Sequence, residues 1–220
     1  MENKSNLKTM LKEAGILFAV TLIAGLLLGV VYELTKEPIR IQQEKAIQEA
    51  CESAFPSPGE GTDFAFQLTQ YVPDETLTAE LAANGVGIGN VYTVTASGLT
   101  YGFVVEAKSK NGYGGDIVLY VGVSTDSTVQ GVSILELSET AGLGMEAPKV
   151  LAPQFAGRNV ESFVYTKTGA SAENEVDAIT SATITTTAVV DAVNGGVSTA
   201  RYLIDNWDQA IIEIGGGADE

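Results

Sequence analysis

The chain has 220 residues, enough for one ordinary domain with appendages and a sizeable core. Hydrophobic residues make up 45% and charged residues 18%, which excludes wholesale disorder. Net charge is −16, and 12 Lys+Arg against 28 Asp+Glu leave little from which to build a basic face for nucleic acid. There is no histidine, hence no Ser-His-Asp or Cys-His triad and no His-ligated zinc or haem. The single cysteine excludes an internal disulfide, a CxxC site and an iron–sulfur cluster held by this chain alone. Carboxylate, hydroxyl or backbone chemistry remains, or a cofactor that carries the chemistry itself.

Residues 1–40 carry a net +1 and the remaining 180 carry −17. Residues 1–13 read as a short tail. Ala14 to Tyr32, AGILFAVTLIAGLLLGVVY, is an uncharged run of 19 residues. As a helix it spans roughly 28 Å, close to the hydrocarbon thickness of a bilayer. Glu13 and Glu33 bracket it, and Tyr32 suits the interface. A cleaved signal peptide has a shorter apolar core followed by small residues. This run passes into ELTKEPIRIQQEK with no A-x-A-like site, so it reads as an uncleaved transmembrane helix. Cys51 has only Ala50 as a small residue before it, which argues against a lipoprotein cleavage site. Lys4, Lys8 and Lys12 precede the helix, and Lys36, Arg40 and Lys45 follow it, giving little orientational bias. The short tail, with its terminal amine, favours an N-terminus in the cytoplasm and a body outside.

Pro38 is expected to end the anchor, because proline cannot continue a helix without losing a hydrogen bond. Ile39 to Phe55 has helical spacing of apolar residues, which predicts a juxtamembrane amphipathic helix with Cys51 on its buried face. Pro56 to Gly61 reads as a linker, so 33–60 is juxtamembrane helix and linker. Strands are predicted at Asn90–Ala96, Tyr101–Ala107, Asp116–Val123 and Val129–Glu136, with a hairpin at Ser97-Gly98. Their short spacing favours an antiparallel meander. Gly142 to Gln154 reads as loop plus short helix. Ala182 to Trp207 is helical, with Ala188, Val189, Ala192, Val193, Val197, Ala200, Leu203 and Ile204 recurring every three or four residues. Residues 211–220 read as a disordered tail. The fold class is α+β: one N-terminal transmembrane helix, then an extracytoplasmic domain over 61–210 with an antiparallel sheet and flanking helices.

Three stretches hold candidate chemistry. Gly112-Tyr113-Gly114-Gly115 enters the third strand, where glycines expose backbone N–H groups and allow a flat ligand or phosphate to approach. A plain tight turn is the simpler account. Glu139-Thr140-Ala141-Gly142-Leu143-Gly144 follows the fourth strand and suits contact with an apolar ring. A loop with a helix cap is the simpler account. The third stretch, Asp177 to Thr187, has six hydroxyl residues within eight positions at the start of the long helix. N-capping explains one or two of them; β-branched threonine is otherwise a poor helix former. A helix N-terminus with free N–H groups is a natural phosphate site.

The run D-A-I-T-S-A-T-I-T-T resembles the flavinylation motif of the FMN-binding domain family, D-x-x-[ST]-G-A-[ST] with further hydroxyls. N-G-Y-G-G-D-I and S-E-T-A-G-L-G resemble two further stretches of that family, in matching order and spacing. With the single anchor, roughly residues 10–205 resemble the G subunit of Rnf-type ion-translocating ferredoxin:NAD oxidoreductases. That family is related to the C subunit of sodium-translocating NADH:quinone oxidoreductases, which the same resemblance leaves as the alternative. The resemblance implies an electron-relay subunit of a membrane translocase, with FMN held covalently by a phosphoester to Thr183. It implies Thr180, Ser181, Ala182, Thr185, Thr186 and Asp177 around the phosphate. Glu139, Thr140, Gly142, Leu143, Gly144, Gly112, Tyr113, Gly114 and Gly115 would lie around the ring, with Ile179 and Ile184 supporting from the core. It implies as partners the other Rnf subunits, including a second flavinylated membrane subunit, a flavin transferase for maturation, and membrane lipid. Three positions depart from the family pattern: Ser181 for glycine, Ala141 for proline, and Leu137 where histidine is frequent.

The residues by themselves leave a second class open, an anchored acidic surface module that binds a partner or sugar. A hydrolase is disfavoured for want of histidine, and nothing in the sequence pairs Asp177 with Glu139.

Overall fold

The computed structural model describes residues 2–59 and 62–211, with side chains from residue 9 onward. Beyond residue 211, the expected disordered tail lies outside the described residues. The chain forms two units, Met1–Ala46 and Ile47–Glu220. The first helix, α1, spans Glu2–Ala54, so its final turns belong to the second unit.

In the first unit the apolar run is exposed all round; Leu28, for example, is 71% exposed. Such a cylinder of leucine, valine and isoleucine is stable in lipid rather than water. The hydroxyl of Thr21, midway along the run, donates back to the carbonyls of Leu17 and Phe18, so it needs no partner outside the helix. The helix does not end at Pro38, contrary to the expectation above. Proline removes one backbone bond, but good helix formers flank it on both sides. Arg40 also bridges Glu37 at 3.0 Å and Glu44 at 2.6 Å across the following turns.

The second unit continues with β1 (Ala65–Thr69), α2 (Glu75–Ala83), β2 (Val86–Ala96), β3 (Leu99–Ser109), β4 (Ile117–Ser124) and β5 (Val129–Glu136). After β5 come α3 (Ala147–Val150), β6 (Val164–Thr166), β7 (Glu175–Asp177), α4 (Thr183–Asp205) and α5 (Trp207–Ala210). Strands β1 to β5 form one antiparallel sheet in sequential order, the meander expected from their spacing. Ser97 and Gly98, at φ 51° and 77°, make the β2–β3 turn, where both central residues need positive φ. Strands β6 and β7 form a short parallel pair.

Alternation along the strands divides the domain into two cores. Phe103, Val105, Ala107, Ile117, Leu119, Val121 and Val123 point to one face and pack with Ala188, Val189, Ala192, Val193, Val197, Ala200 and Leu203 of α4. Gly195 and Gly196 let α4 lie close: a Cβ there would meet Val86 Cγ1 at 2.8 Å and Val121 Cγ2 at 2.7 Å. Mid-helix glycine costs about 1 kcal/mol relative to alanine, which this close packing offsets.

On the other face, Val94, Val104 and Tyr120 pack against Ala50, Cys51, Ala54 and Phe55, the last turn of α1 and the residue after it. Strand β4 is buried on both sides, which explains its nearly unbroken apolar sequence. The helix end is seated on glycines. A Cβ on Gly122 would lie 2.1 Å from the Ala54 carbonyl oxygen, and one on Gly131 would lie 3.0 Å from it.

Cys51 is the buried small residue expected from its helix face. Burial, with Glu106 and Glu52 adding to it, raises its thiol from near 9 to about 12. A thiol in the unfolded chain titrates at its ordinary value, so the folded state retains the proton longer. Stability from this group is therefore complete below pH 9 and declines as pH rises towards 12. Native protein at pH 8 should resist thiol reagents and react only on unfolding; rapid native labelling would contradict the buried placement.

Candidate functional site

The loop between β7 and α4 is held by its own polar groups. Gln154 brackets Asp177: its Oε1 accepts the Asp177 N–H at 2.7 Å and its Nε2 donates to the Asp177 carbonyl at 3.1 Å. The Asp177 carboxylate accepts the Ala170 N–H at 2.7 Å. The Ala182 N–H then donates to the Ile179 carbonyl at 3.1 Å, closing a turn with Thr180 and Ser181 at its corner. Ser181 has φ 63°, in the left-handed region that the third residue of such a turn commonly needs and that favours glycine. The serine-for-glycine departure falls on this residue. Restoring glycine, Ser181→Gly, should raise stability by about 0.5–1 kcal/mol, read as a higher urea midpoint. An unaltered or lower midpoint would show that the turn carries no strain.

Helix α4 begins at Thr183 with Ala182 as its cap residue, and no side chain caps the first turn. Alanine is among the poorest N-caps, so the first N–H groups are left available. The threonines that follow divide by helical phase. Thr186 is fully buried; its hydroxyl donates to the Ala182 carbonyl at 2.9 Å and accepts the Ile179 N–H at 3.1 Å. Thr187 donates to the Thr183 carbonyl at 2.9 Å. The hydroxyls of Thr183 and Thr185 have no hydrogen-bond partner among the described residues, although Thr185 is only 2% exposed.

Both face a cavity of about 530 Å³ lined by Tyr113, Glu139, Thr140, Leu143, Gly144, Ser181, Ala182, Thr183, Ile184 and Thr185. That volume lies within the range of ordinary cofactor pockets, roughly 300–1,000 Å³. The fold thus brings all three candidate stretches to one place. Thr180, exposed at the turn corner, and Asp177 are not on the lining. Thr186 is behind the wall, so it braces the turn instead of facing a ligand. Gly112, Gly114, Gly115 and Gly142 are not on the lining. Ile179 is buried as expected, but Ile184 is 52% exposed on the lining and does not support the site from the core. Asp177 and Glu139 form no carboxylate pair, since only Glu139 lies on the cavity.

The glycine turn is not an open anion nest. The Glu139 carboxylate accepts the N–H groups of Tyr113 at 2.8 Å and Gly114 at 3.3 Å. The glycines permit close approach between the protein's own loops: a Cβ on Gly114 would lie 1.9 Å from the Ser138 carbonyl oxygen. A Cβ on Gly144 would lie 2.6 Å from Thr185 Oγ1, so glycine there leaves that hydroxyl uncovered. These residues fit FMN on three counts. Uncapped N–H groups and free hydroxyls suit its phosphate, the cavity is large enough, and Tyr113, Leu143 and Ile184 offer apolar surface for its ring.

The comparisons with known proteins fall on the same segments. A family model described as the FMN-binding domain matches residues 112–198, from the glycine turn through most of α4. Another, described as the RnfG N-terminal region, matches residues 1–52. The C subunit of the Na(+)-translocating NADH-quinone reductase from Parabacteroides distasonis has a similar fold. Its TM-score is 0.54 at 18% identity, covering 76% of this chain and 95% of that one. The G subunit of the ion-translocating oxidoreductase complex of Methanosarcina acetivorans is 30% identical over 194 residues, spanning 88% of this chain and 95% of the relative. The G subunit of the Na(+)-translocating ferredoxin:NAD(+) oxidoreductase complex of Acetobacterium woodii is 25% identical over 206 residues, spanning 89% and 94%. Residues 112–198 thus match an FMN-binding domain, and an apolar N-terminal helix precedes them in the chain. The chain belongs to the RnfG family, the G subunits of ion-translocating oxidoreductase complexes.

Proposed function

We propose that this chain is an electron-relay subunit of a membrane-bound ion-translocating ferredoxin:NAD oxidoreductase, with FMN attached by a phosphoester to Thr183. The observation that carries this reading is the free Thr183 hydroxyl, on the first turn of an uncapped helix and facing the cavity. Bound there, FMN supplies a centre that takes up and releases electrons one at a time.

The chain's own residues hold and shield the cofactor. The Thr183 oxygen forms the ester, and the first N–H groups of α4 would donate to the phosphate. The Thr185 hydroxyl is placed to donate into the cavity. Tyr113, Leu143 and Ile184 would exclude water from the ring. No lysine or arginine lines the cavity among the described residues. Noncovalent attraction for an anionic cofactor is therefore weak, and a covalent bond makes up for it.

In this reading residues 14–32 cross the membrane, residues 1–13 stay in the cytoplasm, and the 61–210 domain works on the opposite side. The other complex subunits, including a second flavinylated membrane subunit, exchange electrons with it. A flavin transferase matures it, and lipid surrounds the anchor. NAD and ferredoxin are left to other subunits, because this chain has neither a Rossmann fingerprint nor a CxxC site.

The test is a mass spectrum of the tryptic peptide Thr168–Arg201 from protein isolated from its native membrane. The expected result is an added mass of FMN less one water, with fragments placing it on Thr183. An unmodified peptide would overturn the covalent attachment at Thr183.

A further inference from the structure

The glycine turn and the loop after β5 meet at a single carboxylate. Glu139 Oε1 accepts two successive backbone N–H groups, those of Tyr113 and Gly114, from a turn 25–26 residues away in sequence. Glycines clear the space around it. A Cβ on Gly112 would stand 2.9 Å from Glu139 Oε1, and one on Gly144 would stand 2.7 Å from Glu139 Cβ. Between those backbone groups stands Tyr113, whose ring is 70% exposed at the cavity wall. That ring has no hydrogen-bond or ring partner among the described residues. Its location is therefore set by its own backbone, and that backbone is held by Glu139.

We infer that Glu139 is a positioning residue: its carboxylate clamps the glycine turn onto the loop after β5 and fixes where Tyr113 stands at the cavity mouth. The inference rests on the reading of this cavity as the FMN site, and it gives Glu139 a role distinct from contact with the cofactor. A carboxylate beside an anionic cofactor is unfavourable when its charge is free. Two N–H donors on one oxygen spread that charge into the backbone. Glutamine can present the same oxygen to the same donors, whereas alanine presents nothing and aspartate falls one methylene short.

The test uses the full-length protein from its native membrane with two measurements. Hydrogen exchange over residues 112–115 reads the clamp directly. Flavin fluorescence reads the ring, because tyrosine near a flavin quenches it. Glu139→Ala should speed exchange about tenfold or more and brighten the flavin. Glu139→Gln should stay near wild type in both. Tyr113→Leu should brighten the flavin without changing exchange. Glu139→Asp gives the same faster exchange should the alanine variant fail to fold. Unchanged exchange in Glu139→Ala or Glu139→Asp overturns the clamp. Changed fluorescence with unchanged exchange in Glu139→Gln also overturns it, because the carboxylate would then act on the flavin by its charge. Protein that carries no flavin would sink the FMN reading alone, and the exchange measurement would still decide the clamp.

Discussion

Thr183→Val is expected to abolish the covalent flavin proposed above and to leave the fold intact. Valine matches threonine in shape and is close to it in helix propensity, so the first turn of α4 still forms. The hydroxyl it deletes has no partner among the described residues, so no internal bond is broken. The expected stability change is within about 0.5 kcal/mol. Thr186→Val should behave in the opposite way. It keeps the acceptor of the flavin but leaves the buried Ile179 N–H without its partner, at about 1–3 kcal/mol. Mass spectrometry and urea unfolding of the two variants separate attachment from structure. Flavin persisting in Thr183→Val and mapping to Thr185 would move the ester to the other free hydroxyl.

Gly122→Ala destabilises the domain by about 3 kcal/mol, because the new methyl meets backbone on an element that cannot turn aside. Its Cβ would lie 2.1 Å from the Ala54 carbonyl oxygen and 2.7 Å from the carbonyl carbon. Strand β4 is fixed by neighbours on both edges, so the end of α1 must lift away from Val94, Val104 and Tyr120. The melting temperature should fall by roughly 6–12 °C. Gly87→Ala is the control, since a Cβ there meets nothing within 4 Å. Equal melting temperatures for the two variants would mean that the helix end does not rest on β4.

Elements with strong periodicity were legible in the sequence. Strands β2 to β5 stand out because β-branched and aromatic residues fill them, and α4 because alanine and valine recur every third or fourth residue. Strand β1 was not, because AFQLT is short, mixed and largely exposed. Helix α2 did carry a signal, Asp74 as N-cap to Leu77, but only nine weakly patterned residues follow it. Strands β6 and β7 have three residues each, too few for any period. Pro38 misled because local propensity outweighed one lost hydrogen bond. At the site, the three stretches were visible as motifs, but the division of labour within them was not. Thr185 and Thr186 read alike in sequence; helical phase decides that one opens on the cavity and the other locks the turn. The tie between Glu139 and the glycine turn depends on strands folding back side by side, which local sequence does not encode.

The two-sided burial of the sheet fixes where the polypeptide can be severed. A version lacking only residues 1–46 keeps Ala50, Cys51, Ala54 and Phe55 as a lid on Val94, Val104 and Tyr120. One beginning at Pro56 uncovers that face to water and strips the domain of its second core. The end of the anchor helix is thus a structural part of the globular domain. A shortened soluble form that behaves well in solution must begin inside the helix, near Ile47, and not at the proline-rich turn where the local sequence invites a cut.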